Sequence, residues 1–114
     1  MKSGYNAVVD GLEELWSVVK SIPKGRVASY GDIGRRLRNP ASGFLVGRWM
    51  AQAPPDVPWW RVIAKSGEIV LNKRSPHLAA EQEQRLREEG VPFLAPGVVN
   101  FEAANAWPDE PSLF

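Results

Sequence analysis

The sequence predicts one mainly helical domain of the α/β class, with two short neighbouring helices and a small β-hairpin. The chain has 114 residues, of which 44% are hydrophobic, and this is enough for a single modest core. Apolar residues recur every three or four positions near the N-terminus and again after residue 42, which is the spacing of amphipathic helices. Residues 65–68, Lys-Ser-Gly-Glu, lie between two short apolar runs, a pattern typical of a hairpin turn.

The ends of the first two predicted helices are marked by local signals. An apolar stripe predicts a helix over residues 5–21, and Gly25 lies in the stop signal that follows it. Ser29, with Asp32 three residues later, forms a capping-box pattern. A second helix is therefore predicted over residues 30–37.

The middle of the chain predicts a winged helix-turn-helix. A third helix is predicted over residues 42–52, joined to the second by a tight turn. Residues 58–63 and 69–71 are predicted to be the two strands of the hairpin. A hairpin that follows a helix-turn-helix in this way is a wing.

The C-terminal part predicts one charged helix and a tail. Glutamates and arginines are interleaved over residues 76–89, where a helix is predicted to end at Gly90. Residues 91–114 contain five prolines or glycines and are predicted to have little regular structure. We therefore expect a domain over residues 1–94 and an acidic, proline-containing tail over residues 95–114.

The net charge of +1 conceals a strong asymmetry along the chain. Residues 20–74 carry eleven basic and three acidic side chains, for a net charge of +8. The flanking segments 1–19 and 75–114 carry net charges of −2 and −5. A basic middle segment is a possible electrostatic footprint for a polyanion, and separate solvated faces are the alternative interpretation.

The composition excludes several kinds of site. There is no cysteine and one histidine, His77, which excludes disulfides, thiolate metal sites and cysteine nucleophiles. His77 is interpreted as a surface or capping residue at a helix start, and no metal or cofactor is predicted. No apolar run approaches the ~20 residues of a membrane span, and no signal-peptide core is present. We therefore expect a cytoplasmic protein, or a nuclear one in a eukaryote, with no membrane partner.

An ordered series of motifs resembles the DNA-binding C-terminal domain of O6-alkylguanine-DNA alkyltransferases. The motifs are Pro23-Lys24-Gly25-Arg26-Val27-Ala28-Ser29-Tyr30-Gly31, Asn39-Pro40, Val46-Gly47, Met50 and Pro58-Trp59-Trp60-Arg61-Val62. The resemblance covers about residues 5–91. In the family the last motif reads Pro-Cys-His-Arg-Val, and its cysteine accepts the alkyl group. Trp59 stands at the cysteine position, which is typical of the alkyltransferase-like proteins that bind the same lesions without repairing them.

The resemblance implies a set of residues that contact DNA or the lesion. They are Tyr30, Ser42, Gly43, Phe44, Gly47, Arg48, Pro58, Trp59, Arg61, Asn72 and Arg74. Tyr30 is expected to help rotate the target nucleotide out of the helix, and Trp59 to line the pocket that receives the base. Asn72 aligns with a residue that contacts the guanine. Lys73 and Arg74 beside it are expected to supply a cation to the base face.

The third helix resembles the family's recognition helix, which enters the minor groove. Small side chains at Ser42, Gly43 and Gly47 suit a groove about 6 Å wide, and close packing against another helix is the alternative reason for them. Phe44 stands where the family has an arginine finger. An apolar ring at that position is expected to act as a wedge between bases.

The resemblance also implies that alkyl transfer is absent. Transfer needs a thiolate, which the family generates through a histidine–water–glutamate relay. Trp59 and Trp60 replace the cysteine and the histidine, and Glu83 is matched to the relay glutamate. We therefore expect a protein that is not an enzyme, because an indole is not a nucleophile in this setting.

Three hypotheses of function follow. The first is a monomer that binds O6-alkylguanine in double-stranded DNA by base flipping and flags it for nucleotide excision repair proteins, acting at the nucleoid or in the nucleus. The acidic tail is then a candidate docking surface. The second is a winged helix-turn-helix that binds DNA or a protein without a lesion pocket, which Phe44 favours. The third, an enzyme with another nucleophile, has no positioned base or metal site to support it.

Overall fold

A long N-terminal helix opens the computed structural model, which describes residues 3–70 and 75–108. This helix, α1, covers Ser3–Lys20. Leu15 and Val19 on it are fully buried, as expected for the apolar stripe of an amphipathic helix. The helix predicted over residues 5–21 is confirmed.

The two short helices of the predicted helix-turn-helix are present. Helix α2 covers Tyr30–Arg36 and α3 covers Gly43–Met50. The Ser29 hydroxyl accepts a hydrogen bond from the Asp32 backbone N–H at 3.0 Å, and the Ser42 hydroxyl caps α3 in the same way. Each serine satisfies a backbone donor that the first helical turn leaves free, so the helices begin one residue after it.

The hairpin predicted over residues 58–71 is wrong. Val62–Ile63 forms a strand, β2, that pairs in parallel with Ala28–Ser29, β1. Both residues of β2 are buried, and a continuous apolar run suits a parallel pair that is covered on both faces. Trp59–Arg61, before β2, forms a single 3₁₀ turn rather than strand.

The chain does turn at residues 65–68, but the returning segment pairs elsewhere. Gly67 accepts a backbone hydrogen bond from Val99 at 2.8 Å, and Glu68 forms an isolated antiparallel bridge with Val98. A Cβ atom at Gly67 would overlap the Val99 carbonyl oxygen, so this close approach requires glycine. Leu71, the end of the predicted second strand, lies outside the described residues.

The antiparallel hairpin of the fold lies in the segment that was expected to be irregular. Strand β3 covers Phe93–Ala95 and pairs with β4, Val98–Val99. Gly97 in the turn between them has a φ of 76°, which glycine adopts without strain. A short helix, α5, follows over Phe101–Ala104. The expectation of little regular structure is therefore wrong over residues 93–104, where the proline and glycine marked a turn.

The segment from Val99 to Ala104 packs onto the rest of the fold. Val99 and Ala104 are at most 1% exposed, and the Ala104 carbonyl accepts a hydrogen bond from the Val27 N–H at 2.9 Å. The boundary placed after residue 94 stays a prediction. Residues 109–114 of the tail lie outside the described part.

The predicted charged helix is confirmed as α4, Pro76–Glu88. Ser75 caps it by accepting a hydrogen bond from the Leu78 N–H, and Gly90 follows it with a φ of 85°. His77 is exposed in its first turn. Within residues 3–70 and 75–108, no helix has the length and apolar character needed to cross a bilayer.

The β1–β2 pair separates two clusters of buried residues. The first lies toward α1, α2 and α3, and comprises Leu15, Val19, Ile22, Ala28, Ile33, Leu37, Val46, Val57 and Val62. The second lies toward α4 and the C-terminal segment, and comprises Val27, Ile63, Leu86, Val91, Val99 and Ala104. Successive strand residues face opposite sides, which is why neighbours such as Val62 and Ile63 belong to different clusters.

Candidate nucleic-acid interface

A cavity of about 480 Å³ opens between α2, α3, the 3₁₀ turn and α4. Its walls include Tyr30 at the start of α2, Gly47 and Met50 on α3, Trp59 on the turn, and Gln82 on α4. The volume is in the range of about 300–1,000 Å³ that holds small planar ligands. Three residues predicted from sequence, Tyr30, Gly47 and Trp59, therefore meet at one pocket, which we call the Trp59 pocket.

Close packing of α2 on α3 accounts for one of the small residues of α3. A Cβ atom at Gly43 would lie 3.1 Å from the Gly31 backbone nitrogen and 3.4 Å from the Tyr30 Cβ. At Gly47 a Cβ would make only ordinary contact, 3.8 Å from the Tyr30 ring. Helix packing thus favours glycine at 43, whereas glycine at 47 leaves room in the wall of the Trp59 pocket.

The two adjacent tryptophans serve different parts of the molecule. Their rings meet edge to face, with centroids 5.9 Å apart and planes at 86°. Trp59 lines the pocket, and Trp60 packs against the second core cluster. Trp60 Nε1–H donates to Glu89 Oε2 at 2.8 Å. The two rings therefore contact different parts of the fold, Trp59 the pocket and Trp60 the second cluster.

Arg61 belongs to a buried ion pair. Its Nη2 lies 2.8 Å from Glu89 Oε2, and the two side chains are only 14% and 9% exposed. Arg61 Nη1–H also donates to the Ile22 carbonyl at 2.9 Å, and Glu89 accepts from the Gly25 N–H. The guanidinium therefore links the end of α4 to the loop after α1, while its predicted contact with DNA stays a prediction.

The environment of Glu89 stabilises its charged form. Burial raises the pKa of this carboxyl, but the hydrogen bonds from Arg61, Trp60 and the Gly25 N–H, with the Arg61 charge, outweigh that effect. The net result is a pKa below the ordinary value, as expected for a carboxylate with several donors.

The match of Glu83 to the relay glutamate is wrong. Glu83 accepts from Arg87 at 2.9 Å and from the Gly97 N–H at 3.0 Å, whereas the glutamate that contacts residue 60 is Glu89. One signal in the sequence pointed to the C-terminal end of α4, where Glu88 and Glu89 are adjacent. An acid at the C-terminal end of a helix opposes the helix dipole, so its presence there calls for a partner elsewhere.

The outer side of α3 is exposed and carries an apolar residue beside a basic one. Phe44 is 73% exposed and Leu45 is 41% exposed. The Arg48 guanidinium lies 5.9 Å from the centre of the Phe44 ring, and Ser42 is exposed at the start of the helix. We call this surface, Ser42, Phe44, Leu45 and Arg48, the α3 face. Pro58, by contrast, is buried before the 3₁₀ turn.

The sequence-based predictions did not include the contribution of α4 to the site. Asn72, Lys73 and Arg74 lie outside the described residues. Gln82, which lines the pocket, stands between Ala79 and Leu86 on the buried face of α4. A polar residue at an apolar position of a helical repeat was the signal available. The described part of the chain holds no group of three acidic or histidine side chains that could bind a metal ion.

Comparison with known proteins identifies relatives over most of the chain. The model of the 6-O-methylguanine DNA methyltransferase DNA-binding domain matches residues 12–91. Alkyltransferase-like protein 1 of Schizosaccharomyces pombe is 42% identical over 82 residues, covering 68% of this chain and 73% of that protein. The DNA base-flipping protein of Vibrio parahaemolyticus serotype O3:K6 is 34% identical over 82 residues, covering 70% of this chain and 79% of that protein.

The fold has a close counterpart among solved structures. The crystal structure of S. pombe Atl1 in complex with damaged DNA containing O6-carboxymethylguanine aligns with a TM-score of 0.72 and 31% identity, covering 85% of this chain and 94% of that one. The predicted fold class and the resemblance read from the motifs are both confirmed. The chain belongs to the family of the 6-O-methylguanine DNA methyltransferase DNA-binding domain.

Proposed function

We propose that the protein is a non-enzymatic sensor of O6-alkylguanine in double-stranded DNA. The α3 face enters the minor groove, and the alkylated base rotates into the Trp59 pocket. The observation that carries the proposal is the position of Trp59, which lines a cavity of about 480 Å³ together with Tyr30 and Gly47 of the helix-turn-helix. Relatives named for base flipping, and one solved with DNA containing O6-carboxymethylguanine, support it.

The energetics of base flipping suit this pocket. Extruding a base costs a few kcal/mol, and least where pairing is already damaged. Stacking of a base on an aromatic side chain contributes about 1–3 kcal/mol, which offsets much of that cost when the ring is Trp59. A base that alkylation has loosened therefore enters the pocket at a lower cost than normal guanine does.

Alkyl transfer is not part of the proposed function. The sequence has no cysteine, and the Trp60 N–H is already donated to Glu89. No thiolate or free base therefore stands at the motif that carries the chemistry in the alkyltransferases. The protein acts as a monomer at the nucleoid or in the nucleus. It passes the bound lesion to nucleotide excision repair proteins.

The second candidate function is a helix-turn-helix module that binds DNA or a protein without taking a base into a pocket. The 73% exposure of Phe44 favours it, because an exposed aromatic residue beside an arginine is common at protein interfaces.

Equilibrium binding to matched duplexes separates the two functions. We expect the protein to bind a duplex with one O6-methylguanine more tightly than the same duplex with guanine. The difference is about tenfold or more when the flipped base stacks on Trp59. Equal affinity for the two duplexes favours the second function. A labelled methyl group on the lesion serves as the control for chemistry, and we expect it to stay on the DNA.

The same measurement at several salt concentrations tests whether phosphates are bound. Residues 20–74 have a net charge of +8, and about five phosphate contacts give a slope of about −4 to −5 for log K against log salt. Affinity that does not change with salt contradicts DNA binding through this segment.

Replacing Phe44 with alanine is expected to weaken lesion binding by about ten- to 150-fold. The alanine variant lacks the aromatic ring that a wedge buries between bases. Burial of a large apolar side chain contributes a free energy of about 1.5–3 kcal/mol. Leu94→Ala is the matched control, because Leu94 is 70% exposed but lies on β3. Equal affinities of the two variants, measured by fluorescence anisotropy, contradict the wedge.

A further inference from the structure

We propose that Gln82 determines specificity in the Trp59 pocket, its side-chain oxygen accepting a hydrogen bond from the 2-amino group of the bound purine. The proposal rests on the function proposed above and adds the class of base that the pocket selects. Bases derived from guanine carry a 2-amino group, whereas those derived from adenine or hypoxanthine do not.

The amide of Gln82 is held at the turn that carries Trp59. Gln82 is 1% exposed and lines the pocket. Its Nε2 donates to the Trp60 carbonyl at 3.2 Å and to the Val62 carbonyl at 3.0 Å. Both amide protons are thereby used, and the position of the amide group is fixed.

The oxygen of the same amide has no partner. Within residues 3–70 and 75–108, Gln82 Oε1 is the buried side-chain oxygen or nitrogen atom without a hydrogen bond. A buried acceptor left unsatisfied costs about 1–3 kcal/mol, so such atoms in native proteins call for an explanation. The two hydrogen bonds of Nε2 hold the amide in place, so a donor has to approach Oε1 from the pocket that Gln82 lines.

Two neighbouring polar side chains of the pocket, Glu81 and Ser75, accept hydrogen bonds from other groups. The Glu81 carboxylate accepts from Arg85 at 2.9 Å, and the Ser75 hydroxyl accepts from the Leu78 N–H. An occupant that satisfies Gln82 Oε1 must bring an N–H or O–H donor. The 2-amino group is an exocyclic donor of guanine that alkylation at O6 leaves in place.

The experiment compares duplexes that differ only in that amino group. One carries O6-methylguanine and the other O6-methylhypoxanthine, each opposite cytosine. The wild-type protein is compared with Gln82→Lys, whose ammonium still donates to the two carbonyls but cannot accept, and with the uncharged Gln82→Met. Gln84→Lys is the matched control, because Gln84 is exposed on the same helix and the charge change is identical.

We expect the affinity ratio of the two duplexes to fall by about two- to tenfold in both Gln82 variants, the range for one hydrogen bond, and to stay unchanged in Gln84→Lys. Any effect of the amino group on the DNA itself cancels, because the same duplexes are used throughout. An unchanged ratio in folded Gln82 variants overturns the inference and leaves Oε1 to an internal water. If the wild-type protein shows no preference for O6-methylguanine over guanine, the proposed function itself is contradicted.

Discussion

Replacing Trp59 with alanine is expected to lower the affinity for O6-methylguanine DNA by about five- to 150-fold, with little change for undamaged DNA. The range corresponds to the stacking free energy of one base on an aromatic ring, about 1–3 kcal/mol. In the proposed function, undamaged DNA contacts the α3 face and is bound through its phosphates, and neither contact involves the Trp59 ring. The measurement is a pair of equilibrium titrations with matched duplexes.

Two variants show whether the effect belongs to the pocket. Trp59→Phe keeps an aromatic surface and is expected to retain most of the preference for the lesion. Trp107→Ala removes a half-buried ring that packs under the Arg36 guanidinium, 3.8 Å from its centroid, and should not alter the preference. If folded Trp59→Ala discriminates the two duplexes as well as the wild type does, Trp59 is only a filler at the old cysteine position.

Replacing Glu89 with alanine is expected to lower the free energy of unfolding by about 3–5 kcal/mol, the range for removing one partner of a buried ion pair. The change leaves the guanidinium of Arg61, 14% exposed, and the Trp60 indole N–H without their acceptor. Urea unfolding followed by tryptophan fluorescence measures the loss. Glu81→Ala is the control, because Glu81 and Arg85 form an exposed pair worth at most about 1 kcal/mol. Equal losses in the two variants contradict a structural role of the buried pair.

The same pair makes stability depend on acid pH. Glu89 has a pKa below its ordinary value of 4.5, so the folded protein releases this proton more readily than the unfolded chain does. The stabilisation is therefore complete above about pH 4.5 and is lost as the pH falls through the lowered pKa. Glu89→Gln should show a shallower loss of stability in this range than the wild type. Parallel curves of unfolding free energy against pH contradict this assignment.

Local signals made the helices predictable, whereas no local signal predicted the pairing of the strands. Ser29 and Ser42 cap their helices through atoms three residues away, so a short window of sequence holds all the information. The partner of Val62 is Ala28, and no local pattern distinguishes that partner from a neighbouring hairpin strand. The turn at residue 67 is real, but the contact with Val99 decides where the chain goes next.

The residues of the site follow the same rule: those in a local motif were predictable, and those that depend on tertiary contacts were not. The motif around Trp59 and Tyr30 carried the family resemblance, and both residues line the pocket. Gln82 and Glu89 were missed because their roles depend on tertiary contacts with the turn at residues 59–61. The helical repeat places Gln82 on the apolar face of α4, but it does not show that the partners of the amide are the carbonyls of Trp60 and Val62.

The two-residue pairing between β1 and β2 sets the spacing of two aromatic residues in the Trp59 pocket. Ala28 lies opposite Val62. Tyr30 comes two residues after Ala28, and Trp59 comes three residues before Val62. The pairing therefore sets the distance between Tyr30 and Trp59. A slip of one residue in this pairing displaces the two aromatic rings by about 3.3 Å, close to the thickness of a base. Ala28 is fully buried, and a larger side chain in a packed core forces shifts of the backbone. A substitution at Ala28, a residue with no proposed contact to DNA, is thus able to change the spacing between Tyr30 and Trp59.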